Sequence, residues 1–227
     1  GRNEYGNNEH YDGYWGIYDE PFLQYAAATL NSSPEPFFAT IFTLSSHHPY
    51  FIPEQFNKIF PQGKLPIHQS IRYADFSLRR FFETISQMPW YNNTLFVITS
   101  DHTETLEYPV NQSRKGIYEV PLFFFHPRHL REVGNSSLPA QQIDIMPTIL
   151  DYLDYDKDFL AYGVSLFDPE ADRLAFHYLN NIYQIIDEQF ILEFDGNLPI
   201  ALYDFVNDPH LQQNLLKSHA GKADVLS

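Results

Sequence analysis

The class of fold is indicated most clearly by one segment of the sequence, Thr94-Leu95-Phe96-Val97-Ile98-Thr99-Ser100-Asp101-His102-Thr103-Glu104. Its first half is an unbroken run of apolar, aromatic and β-branched residues, which is typical of a central strand covered on both faces. The run stops at an acid and an imidazole, two groups that are hard to bury. Because ligands of open α/β sheets gather beyond the carboxyl ends of the strands, we expect a site here.

Asp101 and His102 carry the two side chains at this strand end that bind divalent metal ions. The dipeptide alone leaves two interpretations open. It is either a pair of metal ligands or an ordinary loop acid followed by a histidine, since short motifs also occur by chance.

A second strand end repeats the pattern. Phe37–Leu44 is another apolar run, and it is followed by Ser45, Ser46, His47 and His48. A lone histidine there is more often an ordinary surface residue than a functional one. Two strands of buried type that both end in histidine favour one shared site. The helical pattern over Ile67–Gln87 lies between the two runs, so it predicts a crossover and a parallel strand pair.

Other elements follow from local signals. Asp19-Glu20-Pro21 indicates a helix start with Asp19 as its N-cap, and Trp15 before it is interpreted as a packing anchor. Val120–Phe125 predicts a third buried strand. The helix over Gln141–Leu153 contains Pro147, which predicts a kink or a start near Met146.

The sequence pattern changes from Arg173 onward. Short strand patterns with tight turns at Asn180-Asn181 and Asp187-Glu188 predict an antiparallel meander, and Asp208–Leu216 predicts a final helix. We therefore expect two parts: residues 1–170 as α/β core and residues 171–227 as an antiparallel subdomain.

Composition narrows the function classes. The net charge of −15 argues against a nucleic-acid partner, which requires basic patches, and against docking on anionic lipid. The absence of cysteine excludes disulfides, thiolate metal sites and a cysteine nucleophile within these 227 residues. No apolar run approaches the ~20 residues of a membrane span. The basic pair Arg114 and Lys115 either contacts an anionic substrate or belongs to a solvated loop.

Several segments together resemble the sulfatases. Ser100–Glu104 is similar to their Ser-Asp-His-Gly-Glu block, and Thr43–Tyr50 is similar to a block of lipoteichoic acid synthases and related phosphoglycerol transferases. Further blocks of similar kind follow the same order along the chain: Trp15–Pro21, Tyr118–Pro121, Gln142–Thr148, Tyr203-Asp204 with Asn207–Pro209, and Asn214-Leu215. The likeness runs from about Trp15 to Leu216. Thr103 stands where sulfatases have glycine, which favours the phosphoglycerol-transferase branch.

The resemblance implies an alkaline-phosphatase-like α/β fold with a mainly parallel sheet flanked by helices. It also implies a metal-dependent enzyme that transfers or hydrolyses phosphate or sulfate esters through a covalent intermediate. By the matching positions, Asp101 and His102 are metal ligands for Mn, Zn, Mg or Ca, and His47 contacts the transferred group. His48 lies where relatives have an aromatic residue, and it is assigned to substrate binding with His47.

Part of the family's machinery has no match here. No segment resembles the block that carries the nucleophile, and a catalytic metal usually has at least three protein ligands. We therefore expect an incomplete domain, with its nucleophile on the upstream half of its own chain, and no catalysis by these residues alone. The resemblance also implies a membrane-anchored protein of the cell envelope. A sulfatase of glycans and a non-catalytic binding domain that retains the fold are the alternatives.

Overall fold

The structure, a computed structural model, describes residues 2–128 and 134–226. They form two units: Gly1–Tyr108 with Tyr118–Leu130, and Pro109–Ile117 with Arg131–Ser227. Residues 134–170 thus lie in the second unit together with the antiparallel sheet. The domain boundary expected at residue 170 stays a prediction.

Two long helices form the core of the first unit. After a short helix α1 (Arg2–Tyr5), α2 covers Asp19–Asn31 and α3 covers Ile67–Ile85. Both helices were predicted from their apolar spacing, and they pack on each other around a buried cluster: Leu23, Ala27, Phe81, Ile85 and Trp90. The buried face of α3 includes Ser70 and Ser77, whose hydroxyls donate to backbone carbonyls of their own helix and so satisfy their hydrogen bonds.

The sheet of this unit has two strands, β1 (Phe96–Thr99) and β2 (Leu122–Phe125). Both were predicted, but they pair antiparallel, with Phe96 opposite Phe125. The parallel pair predicted between residues 37–44 and β1 is absent from the described strands, because residues 37–44 form no strand. None of the four β1 residues is fully buried. Apolarity indicates that a segment is a strand, but it does not determine which strand lies beside it.

Phe37–Leu44 forms no strand, contrary to the prediction. Two of its side chains, Phe37 and Ile41, pack against the helical core. Phe38 is 86% exposed and Phe42 is 60% exposed, so the segment is not covered on both faces. No described strand pairs with it, and its end is instead held by side-chain hydrogen bonds.

In the second unit, α4 (Ile145–Tyr152) follows a 3₁₀ turn at Gln142–Asp144. The helix begins two residues before Pro147, as the sequence predicted. The Asp144 carboxylate accepts hydrogen bonds from the backbone N–H groups of Gln141 and Val164, and the Thr148 hydroxyl accepts one from Leu166. These bonds fix the chain that returns along the helix.

The predicted antiparallel meander is confirmed. Its four strands, in spatial order, are β3 (Ala175–Leu179), β4 (Ile182–Ile186), β5 (Phe190–Phe194) and β6 (Pro199–Asp204). Asn180 and Asn181 form the tight turn between β3 and β4 with φ of 53° and 63°. Asparagine tolerates this left-handed conformation better than most residues.

The predicted helix over Asp208–Leu216 is wrong. The last helix is α5, Ala220–Leu226. Its residue Ala223 packs against Leu192 and Leu202 of the sheet. The Asn214 amide instead bonds to the backbone of Leu202 and Ile200 beside β6. Among residues 2–128 and 134–226, no helix combines the length and apolarity that crossing a bilayer requires.

Candidate metal and substrate site

Asp101 and His102 follow β1 directly, at the end where the sequence placed them. Both side chains are more than half exposed. His102 Nδ1 lies 2.6 Å from the carbonyl oxygen of Thr103. A carbonyl only accepts, so Nδ1 carries the hydrogen, and the lone pair of the neutral ring lies on Nε2.

The pKa of His102 is raised, first by the hydrogen bond to the Thr103 carbonyl and then by the charge of Asp101. His102 Nε2 lies 3.5 Å from Asp101 Oδ2, while Asp101 Oδ1 accepts from the His102 backbone N–H. Two atoms that bind one ion tetrahedrally at about 2.1 Å are about 3.4 Å apart. This spacing is compatible with two ligands of a single metal ion, and equally with an ion pair between the two side chains.

No group of three or more His, Cys, Asp or Glu side chains within residues 2–128 and 134–226 has the arrangement of a metal site. Asp101 and His102 thus supply two donors. The role of Asp101 and His102 as metal ligands therefore stays a prediction.

His47 and His48 lie on a turn after residues 37–44. The turn is closed by the His47 N–H, which donates to the Leu44 carbonyl, and by the Tyr50 N–H, which donates to the His47 carbonyl. His47 Nδ1 lies 2.8 Å from the His48 carbonyl oxygen, so this ring too has its Nδ1 position engaged. The His48 ring meets the Tyr50 ring edge to face at 5.5 Å.

The two histidine-bearing ends are joined by a hydrogen bond that the sequence did not reveal. The Tyr50 hydroxyl donates to Glu104 Oε1 at 3.0 Å, which links the turn of His47 to the segment of Asp101. Both partners belong to the segments quoted for the family resemblance, so the sequence marked the residues but not their contact. The bond joins the two segments, and a site shared by His47 with Asp101 and His102 stays a prediction.

Trp15 and Asp19 support the same turn from the other side. The Trp15 ring lies 4.5 Å from the His47 ring, and its Nε1 donates to the His48 carbonyl. Trp15 is 57% exposed, and its contacts with His47 and His48 agree with the packing role that the sequence indicated. Asp19 is not the N-cap, which is Tyr18. The Asp19 carboxylate accepts from the N–H groups of Leu44 and Ser45 instead.

Arg114 and Lys115 lie in the second unit, where both contact its sheet. Arg114 forms an ion pair with Glu193, which is 1% exposed and also accepts from the Gln184 amide. Lys115 Nζ lies 4.8 Å from the centre of the Phe205 ring. These contacts favour a structural role over the substrate role that the sequence left open.

Comparison with known proteins adds the family. The model of the sulfatase family matches residues 1–155, which is well over half of the chain. A lipoteichoic acid synthase-like protein of Bacillus subtilis is 26% identical over 188 residues, covering 74% of this chain and 30% of its own length. An arylsulfatase of Clostridium perfringens is 28% identical over 187 residues, covering 74% of this chain and 39% of its own length. The chain thus spans less than half of these relatives.

Among solved structures, a protein of the alkaline phosphatase superfamily from Vibrio parahaemolyticus superposes with a TM-score of 0.71 at 22% identity. The match covers 97% of this chain and 58% of that one. At this identity the likeness concerns the fold, and it confirms the predicted alkaline-phosphatase-like α/β class.

Proposed function

The chain belongs to the sulfatase family, and from that premise we propose that it forms part of a metal-dependent enzyme that transfers or hydrolyses phosphate or sulfate esters. We favour phosphoglycerol transfer as the specific reaction. A lipoteichoic acid synthase-like protein is among the similar proteins, and Thr103 replaces the glycine of the sulfatase block.

One observation carries the proposal: the 3.5 Å between His102 Nε2 and Asp101 Oδ2, with His102 Nδ1 engaged by the Thr103 carbonyl. Metal-binding histidines commonly donate their second ring N–H to a carbonyl or carboxylate, which fixes the ring and its tautomer. Asp101 and His102 would therefore hold the ion from two sides.

When bound, a divalent ion polarises the ester oxygen and activates a hydroxyl nucleophile. The residues of this chain would do the rest of the positioning. His47, held by the turn of Leu44–Tyr50, would contact the transferred group, and His48 would lie beside it against Tyr50. An imidazolium N–H group forms a charge-assisted hydrogen bond with a phosphoryl oxygen, and both His47 and His48 are exposed to solvent.

The nucleophile is proposed to come from the upstream half of the same protein. A threonine there would agree with phosphoryl transfer, and a cysteine or serine matured to formylglycine would agree with sulfate chemistry. We also propose a membrane-anchored location in the cell envelope, by analogy with the transferase branch. The substrate is an anionic ester in either case.

Sulfate hydrolysis is the second candidate, and the similarity to the arylsulfatase of Clostridium perfringens favours it. Two chromogenic probes separate the candidates. We would load the complete protein with Mn²⁺ and measure hydrolysis of p-nitrophenyl phosphate and p-nitrophenyl sulfate. Preference for the phosphate supports the transferase branch, and preference for the sulfate supports the sulfatase.

The same assay includes Asp101→Ala and His102→Ala. Both variants should lose turnover by about a hundredfold or more, because even the second-shell partners of a metal typically contribute 10–100-fold. The catalytic proposal is contradicted if the wild type is inactive and both variants leave the cellular phenotype unchanged. That result would support a non-catalytic binding domain.

A further inference from the structure

Asp19 is a buried acid whose contacts a helix start does not explain. It is the first residue of α2 and only 1% exposed. Its Oδ1 accepts two backbone hydrogen bonds, from Leu44 N–H and from Ser45 N–H, each at 2.9 Å. Its own N–H donates to the Ser45 hydroxyl at 3.0 Å. Three bonds therefore join the start of α2 to residues 44 and 45.

The second carboxylate oxygen makes the placement costly. Oδ2 of Asp19 is buried and has no hydrogen-bond partner within the part of the chain that the structure describes. Burial raises the pKa of this carboxyl despite the hydrogen bonds on Oδ1. A buried polar atom without a partner destabilises the fold. A serine or asparagine at the helix start would cap α2 without a carboxylate in the core.

The backbone that Asp19 holds is the beginning of the His47 turn. The Leu44 carbonyl accepts the His47 N–H at 3.0 Å, so the residue fixed by Asp19 also closes the turn. The other end of the turn is held by Trp15, whose indole N–H donates to the His48 carbonyl. His47 thus lies between two anchors, of which Asp19 is buried and Trp15 is exposed.

We propose that Asp19 is a positioning residue for the reaction proposed above: its buried carboxylate fixes the backbone of Leu44 and Ser45 and thereby the place of His47. Asp19 itself touches neither the metal ligands nor the transferred group. The catalytic part of this inference rests on the proposed function. The fixing of the turn by Asp19 is a separate statement that can be measured without turnover.

The test compares Asp19→Ala with Asp19→Asn in the complete Mn²⁺-loaded protein. Asparagine keeps an oxygen at the Oδ1 position that can accept from Leu44 and Ser45, whereas alanine removes the acceptor. The matched control is Ser70→Ala, because Ser70 is also fully buried in this unit and bonds to a backbone carbonyl away from the turn.

The first readout is amide hydrogen exchange of a peptide covering residues 41–50. In D19A we expect exchange to accelerate by about tenfold or more, because alanine removes the oxygen that accepts from the N–H groups of Leu44 and Ser45. D19N should stay closer to the wild type, and S70A should leave this peptide unchanged. Unchanged exchange in D19A would overturn the proposal.

The second readout is turnover of p-nitrophenyl phosphate in a cycle with His47→Ala. D19A should lower kcat by about tenfold to a hundredfold, the range expected for a misplaced reacting group. In the H47A background the further effect of D19A should vanish, because Asp19 acts through His47. Additive losses in the double variant would refute the positioning role and indicate general destabilisation.

The two claims fail separately. A wild type without turnover would remove the proposed function, while faster exchange in D19A would still establish Asp19 as the anchor of the turn. If D19A does not fold, Asp19→Ser takes its place, because the shorter hydroxyl cannot reach both N–H groups. Wild-type exchange in that variant would overturn the proposal in the same way.

Discussion

Among individual residues, Tyr50 links the turn of His47 to the segment that follows β1 through its hydroxyl. It donates to Glu104 Oε1 at 3.0 Å, and the Tyr50 ring meets the His48 ring. Tyr50 has a φ of 65°, a left-handed conformation that is uncommon for an aromatic residue. Such strain is kept where the surroundings determine the conformation, which is frequent at functional sites.

Tyr50→Phe removes this hydroxyl and keeps the ring. We expect turnover of p-nitrophenyl phosphate by the complete protein to fall by about tenfold, because the turn of His47 loses its link to the segment that carries Asp101 and His102. Stability should change by less than about 1 kcal/mol, since the lost bond is exposed. The control is Tyr162→Phe, which removes a hydroxyl from a residue that is 89% exposed. A turnover equal to that of the control would contradict the link.

The contacts of Asp187 predict how the stability of the second unit depends on pH. Burial alone raises the pKa of this carboxyl, but the Lys222 ammonium and the N–H groups of Phe190 and Gln189 outweigh it, so the net pKa is lowered. A lowered native pKa means that the unfolded state binds the proton more tightly. The stabilisation is therefore complete above the ordinary aspartate pKa of 3.8 and is lost as the pH falls through the lower native value.

Asp187→Asn tests this sign. Urea unfolding of the wild type should show a free energy of unfolding that falls as the pH is lowered from about 5 to 3, the range around the ordinary pKa. The variant should be less stable at pH 7 and should lose less stability on acidification. The same loss in both proteins would show that Asp187 does not contribute to the acid response.

At the scale of elements, the antiparallel sheet was predictable and the first sheet was not. Strands β3 to β6 are short and are separated by turns whose residues are local signals, such as Asn180-Asn181 and Asp195-Gly196. The pairing of β1 with β2 depends on residues about 25 positions apart, for which no local signal exists. Phe37–Leu44 had the composition of a strand, but a strand also requires a neighbour.

The failed helix at 208–216 has a similar cause. Asp208 followed by a polar stretch resembles a helix start, and its carboxylate does accept from the N–H groups of Gln212 and Gln213. Asn214, however, bonds to the backbone of β6. A tertiary contact thus overrides the local propensity of the segment.

The turn at Asn180 offers an element-scale prediction. Asn180→Val should lower the free energy of unfolding by about 1–2 kcal/mol, because a β-branched residue is disfavoured at positive φ. Asn180→Gly should be neutral or slightly stabilising, since glycine adopts this conformation without steric cost. Urea denaturation followed by circular dichroism measures both. Equal stability of the two variants would show that the backbone of this turn differs from the described one.

For the whole molecule, the family resemblance in the second unit is carried by residues that stabilise the fold. Asp144, Thr148, Asp204 and Asn214 all accept backbone hydrogen bonds that fix neighbouring segments. The segments of the first unit instead link His47 to Tyr50 by a backbone hydrogen bond and Tyr50 to Glu104 by its hydroxyl. Sequence motifs identified both groups equally, and only the contacts separate structural from candidate functional roles.

The 227 residues purified alone should hydrolyse neither p-nitrophenyl phosphate nor p-nitrophenyl sulfate at a measurable rate. The physical reason is that two metal donors bind weakly and the nucleophile is proposed to lie on another segment. The complete protein assayed at the same metal concentration is the control. Metal-dependent turnover by the 227 residues would mean that they contain a nucleophile that the account does not assign.

The most direct test of whether Asp101 and His102 are metal ligands is the affinity of the protein for the metal ion. Equilibrium dialysis of the complete protein against Mn²⁺, followed by elemental analysis, should give an affinity that Asp101→Ala and His102→Ala each weaken by about a hundredfold or more. His210→Ala, which changes an exposed histidine of the second unit, should bind as the wild type does. Wild-type affinity in both Asp101→Ala and His102→Ala would contradict the account.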